Sequence, residues 1–303
     1  MKNLKKIYAF GTSFTEGGGF EFESPSKTEL KEIYNNLNEE LTIENFSYVG
    51  QLSKLLGNSI QIKNYSKSGF GNERMYRKAI DLILSTGFDK DESLLLIEFS
   101  WLGRKEFFSV AHNDYIIVNY DIRGNDGKFP INGIARTYWQ DVSKGKDDIR
   151  KLPNTEFMQS FLDKTMNHDV NMKLLRNNTL MFLNFLNYHD INYIITQPPH
   201  YITPDIVDSM NLEDRYINYG NTSYMLEVGL LKDSVGSIFD ETCNIISDYH
   251  FGLISSKLIA SKIYDNLIER GMIEGVLLKK ERTDFNHLKD IINNNCSEIL
   301  NKI

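Results

Sequence analysis

The stretch KIYAFGTSFTEGG, residues 6–18, decides the fold. It opens as a short apolar run, Ile7 to Phe10, and breaks at Gly11 into a small-residue turn that carries Thr12 and Ser13. A run this short, bounded by glycine, fits a buried strand better than a helix. The preceding MKNLKK has the basic flank of a signal peptide, but an h-region needs about 7–15 apolar residues and this run stops sooner. Residues 6–10 are therefore expected to form the first strand of the domain, with Ser13 just beyond its carboxyl end.

Similar runs recur at Ile60–Tyr65, Leu94–Phe99 and Tyr193–Thr196. The unbroken apolarity of LLLIEF fits a strand covered on both faces, as parallel strands are. Between and after these runs, Tyr48–Leu56, Glu73–Leu84, Leu174–Tyr188 and Leu253–Ile268 carry apolar residues at three- and four-residue steps, which predicts helices. Strands alternating with helices imply βαβ units and a mostly parallel sheet, whose ligands bind beyond the carboxyl ends of the strands.

Two regions break the alternation. An insertion at about 107–165 contains YIIVNY followed by RGNDGKFPING, which reads as a β-hairpin, and then the aromatic pair Tyr138 and Trp139. Residues 271–303 are charged with a weak helical pattern and read as a C-terminal helical appendage to a domain spanning 1–270.

Composition narrows the function classes. Of the 303 residues 41% are hydrophobic and 25% charged, as in ordinary globular chains. The net charge is −7 with Lys and Arg scattered, which argues against a nucleic-acid partner. No apolar stretch approaches the roughly 18 residues of a membrane span, so no membrane partner is expected. Cys243 and Cys296 stand far apart in no metal spacing and read as isolated thiols of a reducing compartment. A cytoplasmic location is expected, with carriage by a viral particle as the alternative.

Three segments following strands can carry chemistry. The first holds Ser13, a candidate nucleophile; a glycine-rich turn with a capping serine is the plainer reading of that segment alone. The second, NYSKSGFGNER, has Gly69 and Gly71 after a strand, where an exposed N–H at Gly69 suits half of an oxyanion hole. A dinucleotide loop would need a third glycine at position 74, which is Arg74. The third, SDYHFG before the last helix, brings Asp248 and His250. Serine is a poor nucleophile until a base takes its proton, and histidine serves when a carboxylate fixes its tautomer.

Together these segments resemble the SGNH/GDSL hydrolases. GTSFTEGG resembles their G-D-S-x-T-x-G signature, NYSKSGFGN their N-x-x-x-x-G block, and DYHFG their terminal Asp/His block, all in the family's order from Tyr8 to Ile268. YIITQPP resembles the strand placed before the final segment. The resemblance implies a three-layer α/β/α fold with a flavodoxin-like five-stranded sheet, and ester hydrolysis through an acyl-enzyme without a cofactor or metal. It implies Ser13 as nucleophile, His250 as proton shuttle, Asp248 as its orienting acid, and backbone N–H groups of Ser13 and Gly69 as oxyanion donors.

Three departures stand out. Thr12 replaces the aspartate of the G-D-S triplet, and one residue instead of two separates Asp248 from His250. The largest lies at EFSWLGRKEF, where the family's G-x-N-D supplies an oxyanion asparagine and this chain has none. Losing one such donor costs about 2.7–4 kcal/mol of transition-state stabilisation. Asn72, Ser100 and Arg104 are the candidate substitutes, although Arg104 and Glu106 also read as an exposed ion pair. His200, Trp101 and Trp139 are candidates for lining the substrate pocket. The expected function is a serine esterase acting on a small-molecule or glycan ester such as an O-acetyl group. The alternative is a catalytically silent SGNH-like binding or structural module.

Overall fold

The computed structural model describes residues 4–17, 47–67, 70–100, 104–109, 114–119, 136–141, 146–151, 168–197, 204–218, 238–239, 245–246 and 253–274. Five strands form one sheet: β1 (Lys6–Phe10), β2 (Gln61–Asn64), β3 (Ser93–Glu98), β8 (Tyr193–Gln197) and β9 (Tyr216–Asn218). Between β3 and β8 come β4 (Arg104–Ser109), β5 (Asp114–Asn119), β6 (Arg136–Asp141) and β7 (Lys146–Lys151), and after β9 the two-residue strands β10 (Ile238–Phe239) and β11 (Ile245–Ile246).

The sheet order is β2-β1-β3-β8-β9 with every pairing parallel. Counted along the chain, that is the 2-1-3-4-5 order of flavodoxin-like folds, whose switch point lies between β1 and β3. Neighbouring connections leave on opposite sides there, so a crevice opens beyond the carboxyl ends of β1 and β3.

Strand alternation assigns each face its helices. Ile7, Ala9, Leu94, Leu96 and Ile194 pack with α2 (Tyr48–Leu56) and α6 (Leu253–Glu269). Tyr8, Phe10, Leu95, Ile97, Tyr193 and Ile195 pack with α3 (Asn72–Ile83), α4 (His168–Tyr188) and α5 (Pro204–Ser209). The result is the expected three-layer α/β/α architecture. The first core continues past α6 to buried Met272.

Helix ends show how the layers are aimed. Ser47 caps α2, its Oγ accepting from Val49 N and Gly50 N. At the far end of α6, Asn266 Nδ2 donates to Asp214 O and Arg270 donates to Tyr193 O, both at the amino ends of β8 and β9. A 17-residue helix is about 25 Å long. The N-terminus of α6 therefore points to the carboxyl edge of the sheet, and Asp248 and His250 immediately precede it in sequence.

The insertion holds strands on both sides of RGNDGKFPING. YIIVN forms β5, which pairs antiparallel with the preceding RKEFFS, β4, and also lies beside β6, the strand that follows RGNDGKFPING; residues 120–135 themselves lie outside the described residues. β6, with Tyr138 and Trp139, forms a hairpin with β7. Glu106 is not in an exposed ion pair. Its side chain is 2% exposed, and Arg77 of α3 donates to both its oxygens at 3.0 Å while Arg74 lies 3.7 Å away. These contacts dock the first hairpin onto α3.

Candidate functional site

The turn after β1 is built for close approach. Gly11 sits where a Cβ would overlap Thr15 Oγ1 and lie 2.8 Å from Glu98 Cβ, so only glycine lets the turn close against β3. The four-residue helix α1 (Ser13–Glu16) then starts at once, with Thr12 O accepting from Glu16 N at 2.9 Å. Ser13 is thus the first helical residue beyond β1, and its N–H has no partner within the helix.

Beneath this turn lies a buried polar network that sequence reading missed. Glu98, the last residue of β3, is fully buried, and its two carboxylate oxygens each accept from a threonine, Thr12 Oγ1 on one and Thr15 Oγ1 on the other. Tyr48 Oη stands 2.6 Å from Thr15 Oγ1 and 3.0 Å from Thr196 Oγ1, so the network crosses from β1 through α2 to β8. The end of α1 is held as well. Thr15 O accepts from Ser47 Oγ at 2.8 Å and from Asn64 Nδ2 at 3.0 Å.

The second block is stitched to the first. Lys67 N donates to Gly11 O at 3.3 Å, Lys67 Nζ pairs with Glu16 at 3.3 Å, and Phe70 N donates to Lys67 O at 3.1 Å. The turn from Lys67 to Phe70 is thereby closed beside Gly11. Gly69 itself lies outside the described residues. The third block meets the second through Asn72 and Ser100. Ser100 N donates to Asn72 Oδ1 at 2.6 Å, Asn72 Nδ2 donates to Ser100 O at 2.9 Å, and Ser100 Oγ donates to Phe70 O at 2.6 Å.

The structure therefore gathers Ser13, Asn72 and Ser100 at the carboxyl edge of β1 and β3, on elements joined by hydrogen bonds. In this arrangement the Ser100 hydroxyl and one Asn72 N–H serve the backbone around them. Asp248, His250, His200 and Trp101 lie outside the described residues. Arg104 and Trp139 are described through their backbones only, in β4 and β6 of the two hairpins.

Among the described residues no group of three His, Cys, Asp or Glu side chains is arranged to hold a metal ion, and no helix is long and apolar enough to cross a membrane. No protein-family model matches the chain, and no curated protein is significantly similar to it.

Proposed function

We propose that the protein is a serine esterase of SGNH/GDSL type. The observation that carries this reading is the position of Ser13, first residue of a helix directly beyond β1 at the switch point of a flavodoxin-like sheet. Ser13 attacks the ester carbonyl, forming the acyl–oxygen bond as the alcohol departs, and His250 moves the proton from serine to the leaving alcohol while Asp248 orients the ring. Water then releases the acid by the reverse sequence. The heading of α6 supports His250 as the base, since that helix begins at the same edge and His250 precedes it in sequence. The N–H groups of Ser13 and Gly69 bind the oxyanion. Asn72, whose amide carries a second hydrogen besides the one given to Ser100, is the third donor. The substrate class is a carboxylic ester of a small molecule or glycan, with O-acetyl as the first choice.

Hydrolysis of p-nitrophenyl acetate by wild type and by Ser13→Ala tests this. Loss of about a thousandfold or more in kcat is expected for the variant. Equal rates would put the nucleophile elsewhere. The reciprocal bonds between Asn72 and Ser100 favour a second reading, in which the edge is a rigid binding surface without turnover, and absence of hydrolysis on any acyl ester would favour it.

A further inference from the structure

We propose that Glu98 is a positioning residue for the Ser13 turn: its carboxylate, fixed at the end of β3, grips the hydroxyls of Thr12 and Thr15 on either side of Ser13. The inference rests on the esterase reading for its catalytic consequence and on geometry for everything else.

Burying a carboxylate is costly unless hydrogen bonds replace its water, and the other five residues of β3 are buried with it. An aliphatic side chain would suit that strand. Glu98 instead offers two acceptor oxygens, and each takes one threonine hydroxyl from the facing turn. These two bonds replace part of the water the group loses on burial. They also give the network a direction. Because Thr15 donates to Glu98, its oxygen accepts from Tyr48, whose own oxygen lies 3.0 Å from Thr196 Oγ1, a hydroxyl that donates to Ile97 O of β3 at 3.3 Å.

The turn is consequently held on three sides. Glu98 holds it to β3, Tyr48 and Ser47 hold it to α2, and Asn64 holds it to β2. Thr12 and Thr15 bracket Ser13 in sequence, so their hydroxyl contacts set where the Ser13 peptide sits. Thr12 occupies the position where the G-D-S triplet has aspartate, and the carboxylate reaches the turn from β3 instead. A displacement of about 1 Å in a reacting group lowers a rate by about a hundredfold, so such a grip matters for catalysis far more than for the stability of the sheet.

The test compares full-length wild type, Glu98→Gln, Thr12→Val and Thr12→Ser. Hydrogen exchange of the Gly11–Gly17 amides and p-nitrophenyl acetate kinetics are both read. Thr12→Val keeps shape and removes the hydroxyl, and is expected to speed exchange in that segment about tenfold or more. Its kcat is expected to fall about 10- to 100-fold with KM within about twofold. Thr12→Ser restores the hydroxyl and should recover both. Unchanged exchange in Thr12→Val, or failure of serine to rescue, overturns the proposal even if Glu98→Gln does not fold. If wild type hydrolyses no ester, the esterase reading falls while exchange and rescue still decide the role of Glu98.

Discussion

Asn72 and Ser100 hold each other twice, Ser100 N–H to Asn72 Oδ1 at 2.6 Å and Asn72 Nδ2 to Ser100 O at 2.9 Å. A side-chain amide that mimics a strand partner in this way joins the start of α3 to the end of β3. Both residues are buried, so Asn72→Ala leaves the Ser100 amide and carbonyl without those bonds. An unmet buried polar group costs about 1–3 kcal/mol. We expect Asn72→Ala to lose about 2 kcal/mol in urea unfolding, and Ser100→Ala, which removes the bond to Phe70 O, to lose about 1 kcal/mol.

The Glu106 cluster responds to its two partners unequally. Burial raises the carboxyl pKa of Glu106 above its usual 4.5, and the hydrogen bond and charge of Arg77, with the charge of Arg74, pull it back only partly. A raised folded value means the folded protein binds the Glu106 proton more tightly than the unfolded chain does. The stability this contributes is fully present below about pH 4.5 and is lost as pH rises through the folded value. Glu106→Gln, close in shape to the protonated form, is therefore expected to cost about 1 kcal/mol or less near neutrality. The advantage of wild type over this variant should shrink as pH rises.

Arg77→Ala acts in the opposite way, because it leaves the buried carboxylate without the guanidinium that donates to both its oxygens. It also removes the stacking of that guanidinium on Tyr115, 3.8 Å from the ring centre. Breaking a buried pair from one side costs about 3–5 kcal/mol, and we expect the lower end because Arg77 is 28% exposed. Urea unfolding at pH 5 and pH 7.5 measures both variants.

The four apolar runs and the helices between them were legible because burial on both faces leaves continuous hydrophobic strands and three-to-four spacing in the helices. β9 is only three residues long, too short for a periodic signal. β4 was missed because RKEFFS carries its charges inside the strand, where Glu106 becomes compatible only once Arg77 and Arg74 arrive from α3. RGNDGKFPING marks where the chain can bend, and the strands on its two sides, β5 and β6, lie beside each other, but turn chemistry does not reveal that β5 also pairs with β4. Glu98 lies within LLLIEF, which reads as an unbroken apolar run and gives no sign of a buried carboxylate's role. Its partners Thr12 and Thr15 lie more than eighty residues away in the chain, and only the parallel register of β1 on β3 brings them together. Ser13, Asn72 and Ser100 each stand after a strand in the sequence, and the topology brings those strand ends to a shared edge.

Two glycines should respond to substitution for different reasons. Gly11→Ala drives a Cβ into Thr15 and Glu98, and overpacking of a closed core costs about 1–3 kcal/mol. Gly57 ends α2 with φ 61° and ψ −156°, a conformation almost restricted to glycine, yet nothing lies within 4 Å of its Cβ position. Strain there costs about 1–3 kcal/mol. Stability alone will not separate the two. Exchange in the Gly11–Gly17 segment will, because Gly11→Ala should loosen the turn that holds Ser13, whereas Gly57→Ala should leave it unchanged.

The proposed chemistry fixes the sign of the pH dependence. His250 must be neutral to take the Ser13 proton, so kcat/KM for p-nitrophenyl acetate should rise along one ionisation. An unperturbed histidine titrates near 6.5, and an adjacent carboxylate, which favours the charged ring, moves that midpoint upward. We expect activity to rise along that ionisation and to reach a plateau above it. His250→Ala should remove the rising limb and lower the plateau about a thousandfold or more. Asp248→Asn should keep the limb, shift its midpoint down and lower the plateau, since the ring loses the group that stabilises its charged form. A flat profile from pH 5 to 8.5 in wild type, measured as initial rates after subtraction of spontaneous hydrolysis, would remove His250 as the base.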